Sequence, residues 1–196
     1  MSLAPHTPGS NERPSPRGPR RYAMFVDTTL CVACKACVLA CKAENKVPDG
    51  FSRDWLMEEV YGEFPNLSAE NRSERCNHCS NTPCVTACPT GASHVNEGGV
   101  VLVSQNKCSG CKACIAACPY NARYAHPDGY VDKCTFCLHR VQKGQQPACV
   151  DVCPTGTLTF GDLNDPESEV SKLYKSRRWK VLSPETGAEP NVYFIY

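Results

Sequence analysis

Sixteen cysteines fall into four quartets with none left over: Cys31/Cys34/Cys37/Cys41, Cys76/Cys79/Cys84/Cys88, Cys108/Cys111/Cys114/Cys118 and Cys134/Cys137/Cys149/Cys153. Three uses of cysteine fit such a count. Disulfides tie distant segments together, whereas the first and third quartets read C-x2-C-x2-C-x3-C and curl their thiols towards one point. Structural zinc takes four ligands in a tetrahedron, usually from two separated C-x2-C knuckles. The second and fourth quartets fit zinc loosely, but the pitch of the first and third crowds three ligands onto a single ion. A cubane iron–sulfur cluster offers a separate iron at each corner and suits the run. Proline follows Cys88, Cys118 and Cys153, as it does in bacterial ferredoxin runs. Four thiolates hold one cubane, so the quartets predict four [4Fe–4S] clusters and a chain that moves electrons.

The other reactive side chains add no catalytic group. His78 and His139 sit beside quartet members, and a Rieske centre uses two histidines in place of two cysteines. With every quartet complete, both read instead as hydrogen-bonding or packing residues that tune a neighbouring potential. His94 and His126 have no ligand context. Lys35 and Lys112 hold the same place in a repeat and fit either of two roles, stabilising a reduced cluster or standing on a solvated surface. Tyr120, Tyr124, Phe136 and Phe160 are expected to shield clusters from water, with a stepping-stone role for electrons the weaker option. There is no nucleotide-binding glycine loop, no H-E-x-x-H and no serine or cysteine nucleophile free of metal duty. Catalytic residues are therefore expected to be none.

The elements that position the thiols are repeated. Cys31-Val-Ala-Cys-Lys-Ala-Cys-Val-Leu-Ala-Cys41 and Cys108-Ser-Gly-Cys-Lys-Ala-Cys-Ile-Ala-Ala-Cys118 match at seven of eleven positions, and Cys84-Val-Thr-Ala-Cys-Pro-Thr-Gly91 resembles Cys149-Val-Asp-Val-Cys-Pro-Thr-Gly156. Strand-like stretches precede two quartets, at Tyr22–Val26 and Val100–Val103, and follow the others, at Ala92–Val95 and Thr157–Phe160. Asn96-Glu-Gly-Gly99 supplies a hairpin turn. Small apolar residues between the last two cysteines of a run predict a short helix. The unit is strand, cluster loop, short helix, strand, which makes the fold class α+β and ferredoxin-like.

In two-cluster ferredoxins the fourth cysteine of each run ligates the other cluster. The short link Pro89–Lys107 makes the second and third quartets a natural pair. The clusters would then use Cys76, Cys79, Cys84 with Cys118, and Cys108, Cys111, Cys114 with Cys88. The first and fourth quartets would meet across the chain, as Cys31, Cys34, Cys37 with Cys153, and Cys134, Cys137, Cys149 with Cys41. Pairing within each half of the duplication, first with second and third with fourth, is the alternative to this nested arrangement. Cys41 precedes Lys42 and not proline, a departure expected to loosen the exit from the helix.

Residues 1–20 contain five prolines and read as a disordered or partner-draped arm. Residues 21–160 form the expected four-cluster domain, and 161–196 a C-terminal extension packing on the body or on a partner. There Trp179–Leu182 and Val192–Tyr196 look strand-like. Lys42–Arg75 is expected to be an extended, weakly packed connector. Arg20–Arg21 invites a twin-arginine export reading, but the apolar stretch behind it stops at Asp27, so both are read as solvated or partner-facing arginines. A net charge of +1 gives no footprint for nucleic acid. The longest aliphatic run, Val100–Val103, is far short of a membrane span. With cysteines counted among its 41% hydrophobic residues, the aliphatic core is thin, and clusters are expected to serve as part of it.

The chain resembles the four-cluster iron–sulfur subunits of the dimethyl-sulfoxide-reductase family of molybdopterin oxidoreductases, most of all the polysulfide reductase iron–sulfur subunit. The likeness rests on Tyr22-Ala-Met24, Cys84-Val-x-x-Cys-Pro-Thr-Gly-Ala-Ser93, Ala117-Cys-Pro-Tyr-x-Ala-Arg-Tyr124, Gly129-Tyr-Val, Lys133-Cys-Thr-Phe-Cys137 and Phe160-Gly-Asp-Leu163. It covers roughly residues 22–196. The resemblance implies a wire between an integral-membrane, quinone-interacting subunit and a molybdenum or tungsten bis-pterin catalytic subunit. It implies that the pair from the first and fourth quartets lies towards the pterin and the other pair towards the membrane. Some relatives carry tryptophan in place of Cys111 and a [3Fe–4S] centre; Cys111 is present here, which implies a full [4Fe–4S]. The resemblance also implies a peripheral place on the cytoplasmic membrane through a partner, on its outer face. A free-standing soluble polyferredoxin is the alternative, disfavoured by the long connector and tail.

Overall fold

The structure, a computed structural model, describes residues 19–196. The arm assigned to residues 1–20 lies outside them save for Pro19 and Arg20. In chain order the elements are β1 (Tyr22–Asp27), α1 (Ala36–Glu44), β2 (Asp54–Glu63), β3 (Asn66–Arg75), α2 (Pro83–Thr86), β4 (Ser93–Val95), β5 (Val101–Val103), α3 (Ala113–Ala116), β6 (Tyr124–Ala125), β7 (Val131–Asp132), α4 (Leu138–Val141), α5 (Ala148–Asp151), β8 (Leu158–Asp162), α6 (Glu169–Ser176), β9 (Trp179–Lys180) and β10 (Val192–Ile195). The mixture is α+β.

Four strands form one sheet in the order β8-β1-β10-β9. β1 runs antiparallel to β8, with Met24 opposite Phe160, and parallel to β10, with Met24 opposite Val192. Flanked on both edges, β1 and β10 bury residues of both faces, as the apolar runs Ala23–Val26 and Val192–Ile195 require. Alternation divides those residues. Met24, Val26, Val192, Phe194, Leu158 and Phe160 face the core that holds the buried cysteines. Ala23, Phe25, Tyr193 and Ile195 face Val170 of α6 and Trp179. Ser168 caps α6 by accepting from the Ser171 amide at 3.2 Å.

The strand pairs link the quartets in a definite way. β4, which follows the second quartet, pairs with β5, which precedes the third. β1, which precedes the first, pairs with β8, which follows the fourth. Helices repeat the pattern, since α1 packs on α5 and α2 on α3. At the β4–β5 turn, Gly98 has φ +69°, and a Cβ there would stand 2.3 Å from the Tyr22 ring.

Three expectations change. The connector is weakly packed only in its outer half: β2 and β3 pair over ten residues each, and the base of the hairpin, at Asp54 and Arg72–Arg75, is buried while its far end is exposed. The exit after Cys41 is not loose. Without a proline to break it, α1 runs on to Glu44, and the Asn45 side chain caps it, Nδ2 donating to the Cys41 carbonyl at 2.9 Å. Arg21 is half-buried, not solvated. It donates to Asn191 Oδ1 at 2.9 Å and to the Tyr193 hydroxyl at 3.0 Å, tying β1 to the last strand.

Candidate iron–sulfur centres

The first C-x2-C loop of each quartet curls through one left-handed residue placed immediately before its second cysteine. These are Ala33 (φ 53°), His78 (φ 42°), Gly110 (φ 69°) and Phe136 (φ 51°). Lys35 and Lys112, equivalent in the repeat, share φ 62° and start α1 and α3. Gly110 is the one position of the four where space demands glycine, since a Cβ there would lie 2.5 Å from the Gly129 carbonyl. The duplication is therefore written in the backbone as well as in the residues.

The thiols gather in mixed company. One cavity is lined by Cys31, Cys34, Cys37 and Cys153, with Leu56, Pro154 and Leu158 around them. A second is lined by Cys41, Cys134, Cys137 and Cys149, with Met24, Phe136 and Pro147. Cys79 has Cys76, Cys84 and Cys118 as its charged neighbours, and burial with their repulsion drives its thiol pKa well up. Cys108 and Cys114 lie with Cys84 in a small core with Val101 and Val131. Cys88 leaves α2, which packs on the α3 that carries Cys114. Cys34 and Cys111 are exposed.

Several N–H groups point at sulfur. Backbone amides donate to sulfur at Cys88 (Ser93, 3.3 Å), Cys108 (Val131, 3.4 Å) and Cys134 (Phe136, 3.4 Å). Asn45 Nδ2 donates to Cys41 Sγ at 3.6 Å and Cys137 Sγ at 3.7 Å, and Arg123 Nη2 to Cys84 Sγ at 2.9 Å. Burial, then repulsion from Cys76, pushes the Cys134 thiol up to about 12, so binding a cluster there must displace its proton. Among the described residues no group of three histidine, cysteine or acidic side chains is set to hold a single metal ion. Four thiols around each cavity fit a cubane, whose irons stand apart.

Two matches to the 4Fe-4S dicluster domain family cover residues 30–93 and 68–163. The NrfC homolog of Haemophilus influenzae is 48% identical over 90% of this chain and 80% of its own length. A polysulfide reductase polypeptide of Wolinella succinogenes is 43% identical over 90% of this chain and 94% of its own. The arsenate respiratory reductase iron–sulfur subunit of a Shewanella strain is 35% identical over 89% and 96%. This protein belongs to the iron–sulfur electron-transfer subunits of the molybdopterin oxidoreductase family. Its two dicluster domains and sixteen cysteines carry four [4Fe–4S] clusters.

In this iron–sulfur subunit Lys35 and Lys112 are both on the surface, and Lys35 pairs with Glu58 at 3.9 Å. His78 is fully buried, accepts the Val101 amide on Nδ1 at 3.0 Å and stacks on Phe136 at 3.8 Å between ring centres. Burial, then the nearby cations Lys133 and Arg123, hold it neutral by lowering its pKa well below the usual range. His139 binds Glu44 at 2.7 Å, and His94 Nδ1 lies 2.9 Å from the Ala92 carbonyl. His126 stacks on Tyr130. Tyr120, Phe136 and Phe160 are buried beside cysteines in the larger core. Tyr124 instead stacks on Phe51 and bonds Asp132.

What sequence reading missed are the buried charges Arg75, Lys133, Arg123 and Asp54. Arg75 Nη2 meets Asp54 Oδ1 at 3.1 Å, and Arg75 Nη1 meets Cys149 Sγ at 3.5 Å. Burial pushes the Asp54 carboxyl up and Arg75 pulls against it. A signal existed: Arg75-Cys76-Asn-His-Cys79 and Lys133-Cys134-Thr-Phe-Cys137 each put a cation immediately before C-x2-C and an aromatic ring before its second cysteine.

Proposed function

We propose that this iron–sulfur subunit carries electrons, one at a time, between a quinone-reactive integral-membrane subunit and a molybdopterin catalytic subunit, through two nested cluster pairs. Residues 21–160 supply the ligands, and 161–196 pack on that body. The first and fourth quartets form one pair, with Cys31, Cys34, Cys37 and Cys153 on one cluster and Cys134, Cys137, Cys149 and Cys41 on the other. The second and third form the other pair, with Cys76, Cys79, Cys84 and Cys118, and Cys108, Cys111, Cys114 and Cys88. The observation that carries this reading is the company of two thiols: Cys153 lines the cavity of the first run, and Cys41 that of the fourth quartet. The β1–β8 and β4–β5 pairings support it.

Bound clusters supply four one-electron centres. The protein holds their thiolates, keeps water from the inner ones and leaves one thiol exposed in each pair, Cys34 and Cys111. Two open ends on different pairs suit a relay with two docking partners. Polysulfide and arsenate respiratory reductase relatives support a catalytic partner of molybdopterin type. No helix among the described residues is long and apolar enough to cross a membrane. A peripheral place on the outer face of the cytoplasmic membrane, through the quinone-reactive partner, completes the proposal.

The ligand swap is tested by electron paramagnetic resonance (EPR) of serine variants. Cys153→Ser should perturb the same signal as Cys34→Ser and leave intact the one that Cys149→Ser perturbs. If Cys153→Ser and Cys149→Ser disturb one common centre, the swap is wrong. Native extraction tests the partners: a soluble monomer without companion subunits would replace the complex by a free polyferredoxin.

A further inference from the structure

Three cations are buried among the thiols, Arg75 and Lys133 at 1% exposure and Arg123 at 5%. Each stands at a different boundary between thiol sets. Arg75 donates to Cys149 Sγ of the second cavity at 3.5 Å, and it also bonds Ser73 Oγ, which lies 3.5 Å from Cys37 Sγ of the first. Lys133 Nζ donates to the carbonyls of Cys134 and Val101. Val101 packs against Cys84 and Cys114, so Lys133 spans from the second cavity to the next thiol set. Arg123 donates to Cys84 Sγ at 2.9 Å and Ser93 Oγ at 2.7 Å, in the small core where Cys84 meets Cys114 of the last set.

Burying a cation is costly unless an opposite charge compensates it. Asp54 does so for Arg75. Lys133 and Arg123 have no carboxylate partner among the described residues; their acceptors are carbonyls, a hydroxyl and a thiol. The compensating negative charge is the thiolate set on either side.

We infer that Arg75, Lys133 and Arg123 are interleaved with the four clusters, one cation in each of the three gaps, and that Lys133 and Arg123, which no carboxylate compensates, each set the potentials of the two clusters they separate. This rests on the nested four-cluster reading proposed above. Reduction adds one negative charge to a cluster, and a cation shared by two neighbours favours reduction of both. Such cations thereby raise the potentials of the clusters they border, most where one cluster borders two of them, from buried positions that salt screens only weakly.

The test is an EPR-monitored redox titration of the full-length protein with its clusters, purified anaerobically. Lys133→Met and Arg123→Gln remove one charge each; Lys133→Arg and Arg123→Lys keep it. Each neutral variant is expected to make reduction about tenfold less favourable at two clusters, which is a fall of 59 mV for a one-electron couple, and to leave the other two unchanged. The two variants should share one shifted cluster, that of Cys76, Cys79, Cys84 and Cys118. The charge-keeping variants should titrate as wild type. The inference is overturned if no midpoint moves, if all four move together, or if both variants move the same two. If Lys133→Met loses iron, Arg123→Gln, which retains an N–H donor for Cys84, decides against Arg123→Lys on the same criteria. Fewer than four centres in the wild-type protein would overturn the four-cluster reading itself, before any variant is compared.

Discussion

Arg75 and Asp54 are a buried pair whose partners cannot be separated cheaply. Arg75 has almost no exposure, and Asp54 accepts from it at 3.1 Å at the base of the β2–β3 hairpin. Removing one member of such a pair strands the other charge without water, at a cost of about 3–5 kcal/mol. Asp54→Ala is expected to lose stability on that scale in anaerobic urea unfolding followed by cluster absorbance. Asp54→Asn, which keeps an oxygen for Arg75 Nη2, should lose less. Equal unfolding midpoints for Asp54→Ala and wild type would mean that Arg75 is held by Ser73 and the cluster ligands alone. Charge at this scale serves two ends, holding the hairpin to the body and facing the Cys149 thiolate.

At the scale of elements, β10 is the strand on which the main sheet depends. Its four residues are all buried, and each large apolar side chain so placed contributes about 1.5–3 kcal/mol. Their sum is comparable to the whole stability of an ordinary domain. Truncation before Val192 is therefore expected to give no soluble, iron-loaded protein; recovery of one with four clusters by iron analysis would show that β1 is stable without its parallel neighbour. The elements near the thiols were legible in the residues, because their signals are local. Cysteine spacing set the loops, Cys-Pro ended the short helices, and Asn96-Glu-Gly-Gly99 turned β4 into β5. The hairpin was not legible. Trp55-Leu-Met-Glu-Glu-Val-Tyr61 lacks strand alternation, and its partner's buried end is Arg72-Ser-Glu-Arg75, residue types normally found at the surface. The parallel place of β10 beside β1 is set by packing across the whole molecule, which no short pattern records.

The molecule as a whole is built around its thiols. The larger core joins Cys37, Cys76, Cys79, Cys134 and Cys149 to the apolar face of the sheet, so the clusters stand where another domain would place aliphatic side chains. Anaerobic chelation of iron is expected to unfold the protein, seen as loss of hydrogen-exchange protection in β1 and β10. Retained protection would mean that the sheet and α6 form a core of their own. The pairing of Met24 with Val192 also fixes an order of events. Ribosomes add roughly 5–20 residues per second, so β1 waits roughly ten to thirty seconds for the strand beside it. Cys31, Cys34 and Cys37 emerge near the start of that interval, and Cys153, the thiol that closes their cavity, near its end. The first thiols synthesised are thus among the last to be surrounded, because the cavity they line also needs Cys153.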